Sequence, residues 1–139
     1  VSKVTANART WGAQAVRTGN PHSVACAERL ADAGPLLTEP DFDRATYPEG
    51  VNIEFVVREG AQHVSMRVHE RGSGETRSCG TGACAVAAAA AHQDVVARPV
   101  TYRVDVPGGT VHVTWTADDH LILTGPAEIV AKGIMEWIA

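Results

Sequence analysis

The sequence of 139 residues has few aromatic side chains, few cysteines and no excess of basic residues. Aromatic residues make up only 5% of the chain, so aliphatic side chains must fill the core, for which a hydrophobic share of 45% is sufficient. Twelve Lys and Arg against sixteen Asp and Glu give a formal charge of −4, which argues against a basic nucleic-acid-binding face. No run approaches the ~20 apolar residues of a membrane span. We therefore expect a single, mildly acidic globular domain over residues 1–139, with neither nucleic acid nor membrane as a partner.

The three cysteines, Cys26, Cys79 and Cys84, are too few and too irregularly spaced for a disulfide framework that uses them all. A reducing compartment is the simpler expectation. The sequence has no basic region followed by an apolar run at its start, so it does not predict a secretory signal. We therefore expect a cytoplasmic protein. No metal site is expected, because the sequence has neither a Cys-x-x-Cys nor a His-Glu-x-x-His motif. The chain starts without Met in a predicted strand at residues 1–4, so we expect a piece of a larger protein.

Alternation of apolar and polar residues predicts two groups of strands on either side of one helix. In the first group, residues 51–57 and 64–68 alternate strictly, and the turn at 59–62 makes them an antiparallel hairpin. The second group is a predicted meander of three strands, at residues 102–106, 111–115 and 121–123.

Two other segments carry weaker signals. Residues 24–31 have the apolar spacing of a short helix that ends at Gly34-Pro35 and packs Cys26 into the core. Residues 128–137 are ambiguous between helix and strand, and their β-branched side chains favour a strand.

The clearest helix is predicted at residues 82–93, which include an unbroken run of alanines from Ala87 to Ala91. A helix that is apolar on every side is buried on every side, and Ala side chains let neighbouring strands approach its axis closely. The sequence therefore predicts the α+β class, with a strongly curved, mixed or antiparallel sheet rolled around one central Ala-rich helix.

Cys79 lies directly before this helix, in a Ser-Cys-Gly-Thr-Gly segment. The positive end of a helix lowers the pKa of a cysteine there, which makes the thiol a potential base or nucleophile. The N–H groups of Gly80, Thr81 and Gly82 could bind a carboxylate. A phosphate-binding P-loop is excluded, because no Lys follows Gly80 and position 75 holds Glu75.

Other polar residues are assigned by their position in the predicted elements. Arg71 follows a strand end beside this loop, where it could bind a carboxylate in bidentate fashion. Cys84 is expected to be a packed core residue. The other ionisable side chains near these segments are expected to lie at the solvated surface, namely Arg67, Glu75, Arg77, His63, His112 and His120.

From about Gly19 onward, the motifs of this chain resemble those of the C-terminal half of the diaminopimelate epimerase family. The combination of a Glu-Arg-Gly block with a Cys-Gly-Thr-Gly block is specific. The motifs are Gly19-Asn20-Pro21-His22, Val51-Asn52-Ile53-Glu54, Arg67-Val68-His69-Glu70-Arg71-Gly72, Gly74-Glu75-Thr76, Ser78-Cys79-Gly80-Thr81-Gly82, Pro107-Gly108-Gly109 and Leu123-Thr124-Gly125-Pro126.

The resemblance implies a half of a two-domain enzyme in which each domain is a mixed sheet around a central helix. The family interconverts LL- and meso-diaminopimelate without a cofactor, for lysine and peptidoglycan synthesis. Two cysteines flank the α-carbon, one removing its proton and the other delivering a proton to the opposite face. The opposing cysteine lies in the N-terminal half, which this chain lacks, so we expect the isolated chain to be inactive. The family also implies a homodimer.

Carried over by motif position, the resemblance gives roles to single residues. Cys79 would be one of the two acid/base residues, and backbone groups of Gly80 and Thr81 would bind the reacting carboxylate. Glu70 would contact the substrate ammonium and, together with His22, adjust the cysteine pKa values. The residues that would hold other polar groups of the substrate are Asn20, Asn52 and Arg71, with Arg71 best suited to the remote carboxylate.

Three alternatives stay open from the sequence. Another cofactor-independent two-cysteine racemase, of the proline or hydroxyproline type, would keep Cys79 but needs no clamp for a remote carboxylate. A cysteine hydrolase would pair Cys79 with His69 or His22. The third alternative is not an enzyme but a non-catalytic dimerisation module.

Overall fold

Strands make up most of the regular structure, as the alternating sequence predicts. The computed structural model describes residues 2–138, which contain ten strands, a short 3-10 helix and one α-helix. In chain order the elements are β1 (Ser2–Ala6), β2 (Arg9–Arg17), β3 (Pro21–Cys26), the 3-10 helix (Leu30–Ala33), β4 (Asp41–Phe42), β5 (Asn52–Gly60), β6 (His63–Glu70), β7 (Gly74–Thr76), α1 (Gly80–Asp94), β8 (Val100–Val106), β9 (Gly109–Trp115) and β10 (Leu121–Thr124).

The strands form one mixed sheet in the order β10-β9-β8-β6-β5-β3-β2-β1-β4, with β7 paired to β6. The predicted hairpin of β5 with β6 and the predicted meander of β8, β9 and β10 are both confirmed. Two neighbouring pairs are parallel, β3 with β5 and β6 with β8. The first of these matters for the site, because it sets His22 opposite Asn52 where both strands begin.

Helix α1 begins two residues earlier than the predicted position 82 and ends one residue later than position 93. Its buried residues are mostly alanines, and Ala85 and Val86 have no exposed surface. The helix contacts β2, β3, β5, β6, β8, β9 and β10. A mixed sheet with one Ala-rich helix is therefore confirmed, and the rolling of the sheet around the helix stays a prediction.

The core consists of two apolar clusters on opposite faces of β3 and β5. Val24 and Val56 pack with the helix in one cluster, and Ala25 and Phe55 belong to the other. Strand β3 is buried on both faces, so its residues do not need to alternate between apolar and polar.

This double burial explains why the predicted helix at residues 24–31 is wrong. Residues 24–26 complete strand β3, and the only helical turn nearby is the 3-10 helix that begins at Leu30. The prediction that Cys26 packs in the core is also wrong, because Cys26 ends the strand and is exposed, with Sγ 3.8 Å from Gln93 Oε1.

The predicted strand at residues 128–137 is wrong as well, since residues 125–138 have neither helix nor strand. Their apolar side chains, such as Ile134 and Trp137, are exposed, and a β-strand needs a neighbouring edge with which to exchange hydrogen bonds. Within residues 2–138, no helix has both the length and the apolar character to cross a bilayer.

Candidate active site

Cys79 is the N-cap residue of α1, with an extended backbone at φ −136° and ψ 110°. Its Sγ accepts a hydrogen bond from the Gly82 N–H at 3.4 Å and lies 3.6 Å from Thr81 Oγ1. The first N–H groups of a helix have no partner within it, so Gly80 and Thr81 present theirs at the same end. Sulfur and anion-binding amides therefore meet at one point.

The expectation that the helix start lowers the pKa of Cys79 is wrong for this chain by itself. Cys79 is only 7% exposed, and burial raises the pKa of its thiol above the usual value. Hydrogen bonds from Thr81 and the Gly82 N–H act in the lowering direction, and the charges of Glu70 and Glu54 raise the pKa further. Desolvation and two carboxylates therefore outweigh the donors at the helix start.

A chain of hydrogen bonds runs from Thr81 into the interior. Asn20 Nδ2 donates to Thr81 Oγ1 at 3.3 Å, and Asn20 Oδ1 lies 2.9 Å from His22 Nε2. The other ring nitrogen of His22, Nδ1, lies 2.6 Å from Glu54 Oε1. Three residues singled out in the sequence, Asn20, His22 and Thr81, thus join Cys79 in one network.

Glu54 is a site residue that the sequence analysis did not select. It is fully buried, and its desolvation raises the pKa of its carboxyl, against the lowering effect of His22. A Cβ atom on Gly82 would lie 2.8 Å from Glu54 Oε1 and 3.2 Å from Cys79 Sγ. Only glycine at position 82 therefore lets the carboxylate and the sulfur approach the same helix turn. The signal in the sequence was a glutamate inside an otherwise apolar strand, Val51-Asn52-Ile53-Glu54-Phe55.

A second group of contacts links Asn52 and Arg71 to the same region. Asn52 Nδ2 donates to the carbonyl of Pro21 at 3.0 Å, and the backbone N–H of Arg71 donates to Asn52 Oδ1 at 2.9 Å. Since Pro21 lies between Asn20 and His22, the two groups share one stretch of chain. The Arg71 side chain is exposed, and its Nη1 donates to the carbonyl of Glu49 at 3.3 Å.

Asn20 and Arg71 line a cavity of about 330 Å³, together with Arg17 and the 46–50 segment. Two guanidinium groups at one cavity favour an anionic occupant.

Glu70 ends strand β6, and its charge raises the pKa of both Cys79 and Glu54.

Neither histidine considered for a hydrolase bonds to the sulfur. His69 Nδ1 lies 2.8 Å from the carbonyl of Leu36, and the two ring nitrogens of His22 face Glu54 and Asn20. The pairing of nucleophile and base that a cysteine hydrolase requires is not formed among residues 2–138.

The structure changes what was expected for the burial of Arg67, Glu75 and Cys84. Arg67 and Glu75 form a bidentate ion pair, Nε to Oε1 at 2.8 Å and Nη2 to Oε2 at 3.1 Å, and both side chains are largely buried instead of solvated. Cys84 packs against the apolar cluster around the helix, as expected, but it is only half-buried and also lines a cavity with Thr81 and Leu121. Within the described part of the chain, His, Cys, Asp and Glu form no group that could hold a metal ion.

Comparison with known proteins decides the family. A protein-family model described as "Diaminopimelate epimerase" matches residues 14–130. The chain belongs to the diaminopimelate epimerase family. A diaminopimelate epimerase of Streptomyces coelicolor is 54% identical over 137 residues, and the match covers 94% of this chain and 47% of that protein. One of Mycolicibacterium gilvum is 47% identical over 144 residues, covering 97% of this chain and 48% of that protein.

The chain thus spans about half the length of the diaminopimelate epimerases that it matches. The matched range includes Asn20, Asn52, Glu70, Arg71 and Cys79, the polar residues to which the resemblance gives roles. Among solved structures, a phenazine biosynthesis protein of the PhzF family from Enterococcus faecalis is similar, with 18% identity and a TM-score of 0.48. That similarity covers 84% of this chain and 42% of the other.

Proposed function

We propose that the full-length protein interconverts LL- and meso-diaminopimelate and that this chain is its C-terminal half. Within that half, Cys79 is one of the two acid/base residues. The observation that carries the proposal is the family match over residues 14–130, which includes a cysteine at the N-terminus of the Ala-rich helix.

The chemistry requires a base for a weakly acidic α-proton and stabilisation of the carbanion that forms. Charge spreads from that carbanion into the adjacent carboxylate, where oriented N–H groups of Gly80 and Thr81 stabilise it. The low exposure of Cys79 supports this role, because a site shielded from water strengthens each of these interactions. The thiolate that removes the proton becomes the thiol, and the opposing thiol supplies a proton to the other face.

The remaining polar residues hold the rest of the substrate. Arg71, at the cavity it shares with Asn20, binds the remote carboxylate, and Asn52 is fixed beside it by its bonds to Pro21 and Arg71. Glu70 binds the ammonium group and, with His22, adjusts the pKa of the cysteines. A racemase of the proline type needs no remote carboxylate clamp, so the cation-lined cavity favours diaminopimelate.

The second acid/base residue is a cysteine of the N-terminal half. Cys84 does not replace it, because it lies five residues further along the same helix, ~7.5 Å deeper. We therefore expect the isolated chain to bind the substrate poorly and not to invert it.

The test compares the full-length protein with the isolated chain in deuterated water. With LL-diaminopimelate, the full-length protein should form the meso isomer with deuterium at the α-carbon, whereas proline should not react. An aziridine analogue of the diamino diacid should inactivate it stoichiometrically. The proposal fails if diaminopimelate is not inverted, and the two-cysteine part fails if the isolated chain exchanges the α-proton rapidly.

Family membership supports four further proposals. Inversion proceeds without a cofactor, the protein is cytoplasmic, and the full-length enzyme is a homodimer formed largely through this half. The sheet rolls around α1, as the contacts of the helix with strands from β2 to β10 suggest. Sedimentation of the isolated chain tests the dimer, and a monomer at high concentration would contradict it.

A further inference from the structure

Glu54 is a buried charged residue to which the proposed function gives no role. Its Oε1 is 2.6 Å from His22 Nδ1, and Oε2 has no hydrogen-bond partner within residues 2–138. A buried ion pair is seldom more stable than apolar side chains of similar volume, because both groups lose their hydration. Val56, two residues along β5 on the same face, packs in the apolar cluster around the helix, so packing alone does not account for the carboxylate.

The hydrogen-bond partners of His22 define where its protons lie. Asn20 Oδ1 can only accept, so His22 Nε2 must carry a hydrogen. One further proton lies between Nδ1 and Glu54 Oε1. Whether this proton sits on the imidazole or on the carboxyl group, Nε2 remains a donor. The carboxylate therefore holds His22 in the form that donates to Asn20.

The same direction continues to the sulfur. With Oδ1 occupied by His22, the Asn20 amide nitrogen donates to Thr81 Oγ1 at 3.3 Å. Since Thr81 Oγ1 accepts that bond, its own hydrogen is available to Cys79 Sγ at 3.6 Å. Each link thus presents a donor to the next, and the last donor faces the sulfur.

We propose that Glu54 is a positioning residue for Cys79, which acts through the relay formed by His22, Asn20 and Thr81 to direct a hydroxyl donor at Sγ. The inference rests on the proposed function, in which Cys79 alternates between thiol and thiolate. Hydrogen bonds to a charged acceptor are about twice as strong as those between neutral groups, so the last donor favours the thiolate.

The relay and the direct charge of Glu54 act on Cys79 in opposite directions. The groups that face the sulfur are Glu54 from β5, Glu70 from the end of β6, and Thr81, Gly82 and Cys84 from α1. Both carboxylates raise the Cys79 pKa by repulsion, so simple removal of the Glu54 charge would lower it. Loss of the relay instead raises it, and the sign of the change distinguishes the two effects.

The substitution Glu54→Gln keeps the shape of the side chain and removes the shared proton. If the Gln oxygen accepts a hydrogen bond from His22 Nδ1, then His22 Nε2 carries no hydrogen and can only accept one from Asn20. The direction of the hydrogen bonds in the relay is then reversed. If its amide donates to Nδ1, His22 keeps only a neutral donor. In both cases donation to Sγ weakens, and we expect the Cys79 pKa to rise by about one pH unit.

The experiment measures the rate at which iodoacetamide alkylates Cys79 in the full-length protein as a function of pH, with the labelled peptide identified by mass spectrometry. Thr81→Val should raise the Cys79 pKa, and Thr81→Ser should preserve it. In the Thr81→Val background, Glu54→Gln should no longer raise the pKa, because only the loss of the repulsive charge remains. Glu75→Gln, which alters the paired carboxylate on β7, is the matched control and should leave the Cys79 pKa unchanged. A lower or unchanged pKa in Glu54→Gln, or a rise that persists with Thr81→Val, overturns the relay.

Two further measurements complement the alkylation rates. The first uses the unmodified protein and so does not depend on how well a variant folds, and the second separates the relay from the proposed function. Nitrogen-15 NMR of His22 in the unmodified protein should show a hydrogen on Nε2, and its absence overturns the proposal. In turnover of LL-diaminopimelate, Glu54→Gln should lower kcat by a larger factor than it changes KM, because Glu54 itself does not touch the substrate. An unreactive unmodified enzyme would refute the proposed function, while the alkylation profile would still report on the relay.

Discussion

Replacing Gly82 by Ala should destabilise this chain, although Ala is the better helix former. The substitution gains up to about 1 kcal/mol of helix propensity. The new Cβ, however, would lie 2.8 Å from Glu54 Oε1, closer than such atoms can pack, and 3.2 Å from Cys79 Sγ, which is tighter than most contacts of this kind. Glu54 cannot yield freely, because it is fully buried and held at 2.6 Å by His22.

Displacing the carboxylate weakens a hydrogen bond to a charged group, worth about 1.5–3 kcal/mol, and overpacking adds about 1–3 kcal/mol. After the gain in propensity is subtracted, we expect Gly82→Ala to lower the free energy of unfolding by about 2 kcal/mol or more. With a typical dependence on urea, the unfolding midpoint followed by circular dichroism should fall by about 1 M.

Gly80→Ala is the matched control in the same helix turn. Its Cβ would meet only Leu123 Cδ2, at 3.0 Å, and that side chain is exposed and free to rotate. This variant should be as stable as the unmodified chain or slightly more so. The reasoning is refuted if Gly82→Ala unfolds at the same urea concentration as Gly80→Ala.

Two further predictions concern stability away from the site. Tyr102→Phe should lower the free energy of unfolding by about 1 kcal/mol, because the buried hydroxyl donates to Asp94; an unchanged thermal midpoint would contradict this. Hydrogen bonds from Thr110 and His63 lower the pKa of Asp105 to about 2, so its stabilising contribution is complete above about pH 4 and is lost as the pH falls towards 2. Asp105→Asn should therefore lose less stability than the unmodified chain between pH 5 and pH 2, and urea titrations that fall equally steeply would count against it.

The elements that the sequence predicts correctly are those whose pattern reflects their local surroundings. Residues 64–68 alternate because the two faces of β6 differ in burial, whereas residues 51–57 alternate because the polar side chains of Asn52 and Glu54 are themselves buried at the site. The turn between the two strands fixes the hairpin. Helix α1 is recognisable because its alanines leave no polar face. The central strand β3 is missed for the opposite reason, since burial on both faces removes the alternation that would identify it.

The candidate site divides in the same way. Motif resemblance selects Cys79, Asn20 and His22, because their spacing along the chain is distinctive. Glu54 is not found, since its partner His22 lies 32 positions away in the chain and only the parallel pairing of β3 with β5 brings the two strands together. The direction of the Cys79 pKa was predicted wrongly, because it depends on a balance between burial and the helix start that spacing does not reveal.

The most direct test of the account removes the sulfur of Cys79. In the full-length protein, Cys79→Ala and the control Cys26→Ala, which alters an exposed cysteine at the end of β3, are each incubated with LL-diaminopimelate in deuterated water. Since acid/base groups contribute about 100-fold or more to such proton transfers, Cys79→Ala should lose at least that much epimerisation while Cys26→Ala keeps the unmodified rate. Epimerisation by Cys79→Ala at the unmodified rate would contradict the role assigned to this cysteine.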